Sequence, residues 1–251
     1  MIYFVGAGPG DPELITVKGA KLLARADVVI YTGSLVNREL LDLCKPETEI
    51  YNSAGMHLEE ITQIMINAHQ AGREVVRLHT GDPSLYGAIQ EQMDALNSTA
   101  VPYAVVPGVS SFLAAAAAIP HELTLPGITQ TVILTRMEGR TPVPKKESIS
   151  SLAAHNATMC IFLSVHMLDG LARELITGGY GDQTPVVVVE KASWPDERVV
   201  TGTLANIAEK AREAGINRTA MIIVGDVLKA DYTPSRLYDP DFTHGFRGGK
   251  S

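Results

Sequence analysis

The sequence predicts an α/β protein of two domains, with a mostly parallel sheet in the first and a mixed sheet in the second. Three observations carry this. Short β-branched apolar runs alternate with amphipathic runs of helical period through the first half of the chain. Those apolar runs stop at turns of Gly, Pro and Asp that lead into the next helix, the pattern of βα units in a parallel sheet. After residue 128 the alternation restarts, and two apolar runs there face each other across a proline-bearing turn at residues 191–196.

Residues 2–5 form the first strand, which Gly6-Ala7-Gly8-Pro9-Gly10-Asp11-Pro12 ends. Helical spacing follows at residues 17–26, a second strand at 28–30, and the helical pattern again at 34–44. A short strand at 49–51 precedes the helix 58–70, whose apolar residues Leu58, Ile61, Ile64, Met65 and Ala68 recur at three and four. Val75, Val76 and Leu78 mark a buried strand that Gly81-Asp82-Pro83 closes. Asp82 has the acceptor side chain of an N-cap and Pro83 suits a first helical position, so a helix is expected from there through Leu96. Residues 101–106 are a fifth strand, and Pro107-Gly108-Val109-Ser110-Ser111 leads into a helix ending at 119. These units predict a parallel sheet with helices on both faces, occupying residues 1–119.

Residues 120–127 hold two prolines and a glycine without periodicity and read as a linker. The second domain, 128–230, has strands at 131–134, 159–163, 185–190, 197–201 and 219–224, with helices near 167–176 and 205–214. The polar, glycine-rich residues 231–251 are expected to be a mobile tail.

A chain of 251 residues buries sizeable cores without staples. Cys44 and Cys160, its two cysteines, lie in or beside apolar runs and fit reduced core thiols; no cysteine cluster offers a metal site. No stretch reaches the roughly 18 apolar residues of a membrane helix, and the first strand is too short for a signal sequence, which points to the cytoplasm. The formal charge of −7 leaves no electrostatic footprint for a nucleic-acid partner.

The first loop resembles a dinucleotide fingerprint and fails as one. Its third glycine comes one position early, Pro9 removes an N–H donor, and Asp27 starts the next strand where a ribose-binding acid would end it. No Gly-Lys-Ser/Thr follows for a phosphate loop. What remains is a rigid loop poor in side chains, at the sheet edge where ligands of open α/β sheets bind.

Taken together, Gly6 to Pro12 with Thr16 and Lys18, Gly81-Asp82-Pro83 with Tyr86-Gly87, and Pro107 to Ser111 resemble the tetrapyrrole methylases. Within that family, Ala54-Gly55-Met56-His57-Leu58, the stretch from His79 to Ile89, and residues 129–144 resemble the enzymes that methylate C11 of precorrin-4 or its cobalt form in cobalamin biosynthesis. The resemblance runs from Ile2 to about Leu228.

The resemblance implies S-adenosylmethionine as methyl donor, a small-molecule tetrapyrrole substrate, a homodimer, and an active site in a cleft between two α/β domains. The implied cofactor contacts are Pro9, Gly81, Asp82, Ser110, Ser111, Leu163, Ser164, Ala192, Thr219 and Ala220. Methyl transfer from a sulfonium to an electron-rich carbon asks for placement and dryness rather than a triad, and Asp11 is the one candidate acid or base. A ring bearing several carboxylates calls for local cations, and Lys18, Arg38, His57, Arg136, Arg140 and Lys191 stand in or beside the loops at strand ends. A sister enzyme acting at another ring carbon, or on uroporphyrinogen III, is the alternative within the family. Outside it stand a nicotinamide-dependent oxidoreductase, weakened by the loop chemistry, and a non-catalytic tetrapyrrole carrier.

Overall fold

The structure is a computed structural model that describes residues 1–229 and 232–248. The chain divides into two compact units: Met1–Ala115 with Lys191–Glu197, and Ala116–Glu190 with the chain from Arg198 onward.

The first unit runs β1 (Ile2–Gly6), α1 (Val17–Leu23), β2 (Val28–Tyr31), β3 (Glu49–Asn52), α2 (Leu58–Gln70), β4 (Val75–His79), α3 (Ile89–Ser98) and β5 (Tyr103–Val106); α4 (Ser111–Ala118) spans the division. Its sheet is wholly parallel, in the order β3-β2-β4-β1-β5. Because side chains alternate along a strand, β1, β2 and β4 each feed two cores. Val5, Val29, Val76, Leu78 and Val106 pack with Leu22 and Leu23 of α1 on one face. Ile2, Phe4, Val28, Ile30 and Val75 pack on the other with Ile61 and Met65 of α2 and Leu96 of α3. The apolar stripe of α2 is thus buried as its period predicts, and cutting Met65 to alanine would cost about 2–5 kcal/mol.

This two-faced arrangement places the site. The crossover after β1 lies on the α1 face and the crossover after β4 on the α2/α3 face, as right-handed connections running in opposite directions require. β1 and β4 are neighbours, with Gly6 opposite His79. Their carboxyl ends therefore form the crevice where the chain reverses direction.

The second unit runs β6 (Val132–Arg136), α5 (Ile149–Ala153), β7 (Thr158–Phe162), α6 (Leu168–Gly178), β8 (Pro185–Glu190), β9 (Arg198–Thr203), α7 (Ile207–Glu213) and β10 (Ala220–Val224). The sheet order is β6-β7-β10-β8-β9, with only β6 and β7 parallel. Met159, Ile161, Val186, Val188, Ile222 and Val224 form its core with Leu171 and Leu175 of α6, Ile149 of α5 and Ile207 of α7. A Cβ on Gly178 would lie 2.4 Å from the Ser150 carbonyl oxygen, so that glycine lets α6 close onto α5.

Two sequence expectations are corrected and one helix is added. Residues 34–44 are not one helix but two 3-10 turns, Gly33–Leu35 and Arg38–Leu43; between them Asn37 is extended, capping Glu39 N–H and donating from Nδ2 to the Gly10 carbonyl at 2.9 Å. The helix expected from Pro83 begins only at Ile89. Asp82 caps the Ser84 N–H in a local turn, and Tyr86 and Ala88 take positive φ, which a helix cannot include. Helix α5 was not expected; at five residues, with Ser148 as its cap, it is too short to show a period. The expected tail 231–251 lies partly outside the described residues, at 231 and 249–251. Within 232–248, Arg247 ties the segment to itself by donating to the carbonyls of Leu237 (2.7 Å) and Asp239 (2.8 Å). No described helix is long and apolar enough to cross a membrane.

His79 ends β4 with 2% exposure, and its Nε2 has no hydrogen-bond partner. Burial, aided by the positive charge of Arg77, holds its pKa down at about 3. The unfolded chain protonates this imidazole near the usual value of about 6.5. Stability from His79 is therefore complete above that value and is lost as pH falls towards the folded value. We expect the urea midpoint to drop between pH 7 and pH 4, and His79→Leu to flatten that dependence; an unchanged slope in the variant would refute the assignment.

Candidate active site

At the carboxyl edge of the first sheet, the loops after β1 and β4 are bonded to each other. Gly81 N–H donates to the Gly8 carbonyl at 2.8 Å and Gly8 N–H to the Gly81 carbonyl at 3.3 Å. Gly81 has φ +60 and Gly8 +81, values that glycine adopts without strain. The turn after β5 completes the junction. A Cβ on Gly108 would meet the Gly81 oxygen at 2.2 Å, and one on Gly6 would meet Gly108 Cα at 2.5 Å, so three backbones touch where only hydrogen fits.

Asp82 locks this junction. Its Oδ2 accepts the Gly108 N–H at 2.9 Å, while Oδ1 accepts the N–H (2.9 Å) and the hydroxyl of Ser84. Burial pushes its carboxyl up, but the Ser84 and Gly108 donors outweigh that and hold the pKa below the usual carboxylate value. Gly81 faces the start of α4: a Cβ there would have Ser110 Cα at 3.8 Å and Ser111 N at 3.9 Å, ordinary contact distances. Gly81, Asp82, Ser110 and Ser111 are thus brought together, with Ser110 buried and Asp82 half-buried.

The first loop is fixed from far along the chain. Trp194 Nε1–H donates to the Pro9 carbonyl at 2.9 Å, and a Cβ on Gly10 would fall 2.1 Å from the indole. Asp11 N–H donates to Ser193 Oγ at 3.0 Å, and Asp11 Oδ1 accepts the Glu13 N–H at 2.9 Å, capping a 3-10 turn. Asp11 is half-buried. Ala192, in the same 191–197 turn, is buried between Lys191 (φ 49) and Ser193 (φ 69).

In the second unit the register gathers another group. Ile222 pairs with Ile161, which, carried on two residues, sets Ala220 opposite Leu163; Arg136 pairs with Phe162 one strand away. Arg136, Leu163, Ser164, Thr219 and Ala220 therefore share one sheet edge. Leu163 is 62% exposed at φ 54, and Thr219 is exposed at φ 51. Leu163 is thus an apolar side chain left uncovered on a strained left-handed backbone. The Ser164 hydroxyl, by contrast, is spent within the protein, donating to Phe162 O (2.7 Å) and accepting from Met137 N–H (2.9 Å).

The cationic candidates are dispersed. Lys18, Arg38, His57 and Arg140 are exposed, and Arg38 reaches the Tyr31 hydroxyl at 3.3 Å. His57 opens α2, where its N–H is capped by Glu60. Arg136 donates to the carbonyls of Thr141 and Pro142, both at 3.0 Å, and so holds its own loop. Lys191 pairs with Asp196, an exposed contact worth about 0–1 kcal/mol. Sequence reasoning missed the bond from Trp194, which nothing local announces, and the burial of Arg77, a charged residue inside an apolar strand, which was a visible signal.

Residues 1–208 match the family model described as Tetrapyrrole (Corrin/Porphyrin) Methylases. The chain is 57% identical over 247 residues to the cobalt-precorrin-4 C(11)-methyltransferase of Methanocaldococcus jannaschii, covering 98% of this chain and 95% of that one. It is similar to the X-ray structure of a cobalamin biosynthetic enzyme, cobalt precorrin-4 methyltransferase: the TM-score is 0.89 at 51% identity, covering 91% of this chain and 95% of the other. A uroporphyrin-III C-methyl transferase from Thermus thermophilus, complexed with S-adenyl homocysteine, aligns with a TM-score of 0.73 at 32% identity, covering 91% and 93%.

Trp194 is the chain's one tryptophan, so its emission reports the first loop directly. Gly10→Ala should displace the indole and shift its emission to the red. An emission maximum identical to that of the unmutated protein would show that the ring does not pack on Gly10.

Proposed function

The chain belongs to the tetrapyrrole methylases, and from that premise we infer that it transfers a methyl group to C11 of precorrin-4 or its cobalt complex. The observation that carries this is the 57% identity to a cobalt-precorrin-4 C(11)-methyltransferase along nearly the full length of both chains.

The methyl donor in this reading is S-adenosylmethionine; the demethylated form named in the Thermus structure supports it. Several residues fit such a ligand. Gly81 keeps a side chain out of the space beside Ser110 and Ser111, and Leu163 offers an uncovered apolar surface suited to a purine. When bound, the cofactor supplies an already activated methyl, so the protein's work is placement and the exclusion of water. We assign that work to Pro9, Gly81, Asp82, Ser110, Ser111 and Ala192 in the first unit, and to Leu163, Ser164, Thr219 and Ala220 in the second. The Ser164 role is through backbone, since its hydroxyl is used internally. Asp11 is assigned to balancing the positive charge left on the alkylated ring. Lys18, Arg38, His57 and Arg140 are assigned to the substrate's carboxylates, with Arg136 and Lys191 shaping the loops beside them. The enzyme is placed in the cytoplasm as a homodimer.

The test is incubation with methyl-labelled S-adenosylmethionine and precorrin-4, followed by NMR of the product. A new methyl at C11 is expected; a methyl at another carbon would move the chain to a sister activity, and no transfer would overturn the reading. Gly81→Ala adds one methyl where the protein itself leaves room, at a backbone cost of about 1–2 kcal/mol for a left-handed φ. It should remain folded by circular dichroism and bind the cofactor at least about tenfold more weakly, a loss of about 1.4 kcal/mol. Undiminished calorimetric affinity would reduce Gly81 to a turn residue.

A further inference from the structure

A pocket of about 330 Å³ lies within the first unit, under the first turns of α2 and α3 and beside the carboxyl ends of β2 and β4. That volume is at the small end of the roughly 300–1,000 Å³ found for small-molecule sites. It suits an acid side arm rather than a macrocycle. Arg77 forms part of its wall although the residue is only 3% exposed. The guanidinium is oriented by neutral groups alone: Nε donates to Gln92 Oε1 at 3.0 Å and Nη1 to the Ile30 carbonyl at 3.2 Å. Among the described residues no carboxylate forms an ion pair with it. Burial lowers its pKa only to about 10, so it stays charged at neutral pH. A buried charge without a counter-charge is costly, and one in the wall of a pocket is a candidate for binding a ligand of opposite charge. In the same wall, Thr32 Oγ1 is buried and has no hydrogen-bond partner.

The rim is held with care. Gln92, which orients Arg77, also donates from Nε2 to the Ala88 carbonyl at 3.1 Å. Ala88 sits at φ 48, after the tight turn in which a Cβ on Gly87 would meet the Pro83 oxygen at 2.2 Å. One chain of hydrogen bonds thus connects the buried cation to the strained loop that follows the Gly81-Asp82 motif. Glu91 also lines the pocket; it is exposed, and its charge opposes an incoming anion.

We propose that this pocket is the subsite for one carboxylate arm of the tetrapyrrole, with the Arg77 guanidinium and the Thr32 hydroxyl as its donors. The proposal rests on the functional reading above for the identity of the ligand. A guanidinium and a hydroxyl in the wall of one small space are the donors a carboxylate's two oxygens take, the Thr32 hydroxyl after rotation about χ1, since its oxygen is covered in the empty pocket. A carboxylate seated there would neutralise the one, satisfy the other and fix the angular position of the ring.

The test uses the full chain and needs no turnover. Uroporphyrin, which carries acetate and propionate arms, and its permethyl ester are titrated by fluorescence against the wild type and Thr32→Val, Arg77→Lys and Glu91→Gln. Uroporphyrin should bind and the ester should not. Thr32→Val should weaken uroporphyrin about tenfold, as loss of one hydrogen bond to a charged group does, and Glu91→Gln should tighten it. Calorimetric affinity for S-adenosylmethionine should stay the same in both. Arg77→Lys tests the cation; where it fails to fold, Thr32→Val and Glu91→Gln still decide. Equal uroporphyrin affinity in Thr32→Val and the wild type overturns the subsite. So does stabilisation by inorganic phosphate that is lost in these variants while uroporphyrin binding is unchanged, since the pocket would then hold a free anion. Methyl transfer at C11 is scored separately: its absence with the pattern above intact refutes the C11 reading and leaves the subsite standing.

Discussion

Three glycine backbones in mutual contact, Gly6, Gly81 and Gly108, set the geometry of the carboxyl edge of the first sheet. The constraint is steric, and no rotamer relieves it, because the atoms a Cβ would strike are backbone. From it follow the pairing of the loops after β1 and β4 and the reach of Asp82 to Gly108 N–H. The loops can therefore be short on side chains and still hold one shape.

Each unit holds conformational strain in the loops at a sheet edge. Tyr86, Ala88, Lys191 and Ser193 in the first unit, and Leu163 and Thr219 in the second, all take positive φ without being glycine. Each costs about 1–2 kcal/mol relative to a right-handed conformation. The interiors around them are ordinary, with fully buried Val, Ile and Leu on both faces of the first sheet and against three helices in the second. Core packing thus stabilises loops that local preference would release, and the strained residues stand at the two sheet edges that carry the candidate contacts.

How much could be read from the sequence follows the range of the interactions involved. Helix α2 was read to its last residue because its cap at Glu60 and its stripe at Ile61, Met65 and Ala68 are local and agree. The glycine loops were legible for the same reason, since φ preferences belong to single residues. The start of α3 was misread: the chain offers Asp82-Pro83 as a helix start, and nothing in the residue types of Tyr86 and Ala88 announces the left-handed conformations they take. The region 34–44 failed similarly, since Asn37 is pulled extended by its bond to Gly10. Trp194 and Pro9 are 185 positions apart, and no window along the chain joins them.

That distance has a consequence for how the protein is made. The first sheet is complete in sequence by residue 106, yet the unit to which it belongs also includes Lys191–Glu197. A nascent chain that has emerged only as far as α4 has no indole to bond Pro9 and no Ser193 hydroxyl for Asp11 N–H. At roughly 5–20 residues per second, translation leaves the first loop in that condition for several seconds. The loop is finished late by a segment that arrives between two strands of the other sheet, so a ribosome that stalls before residue 197 yields a sheet without a settled first loop.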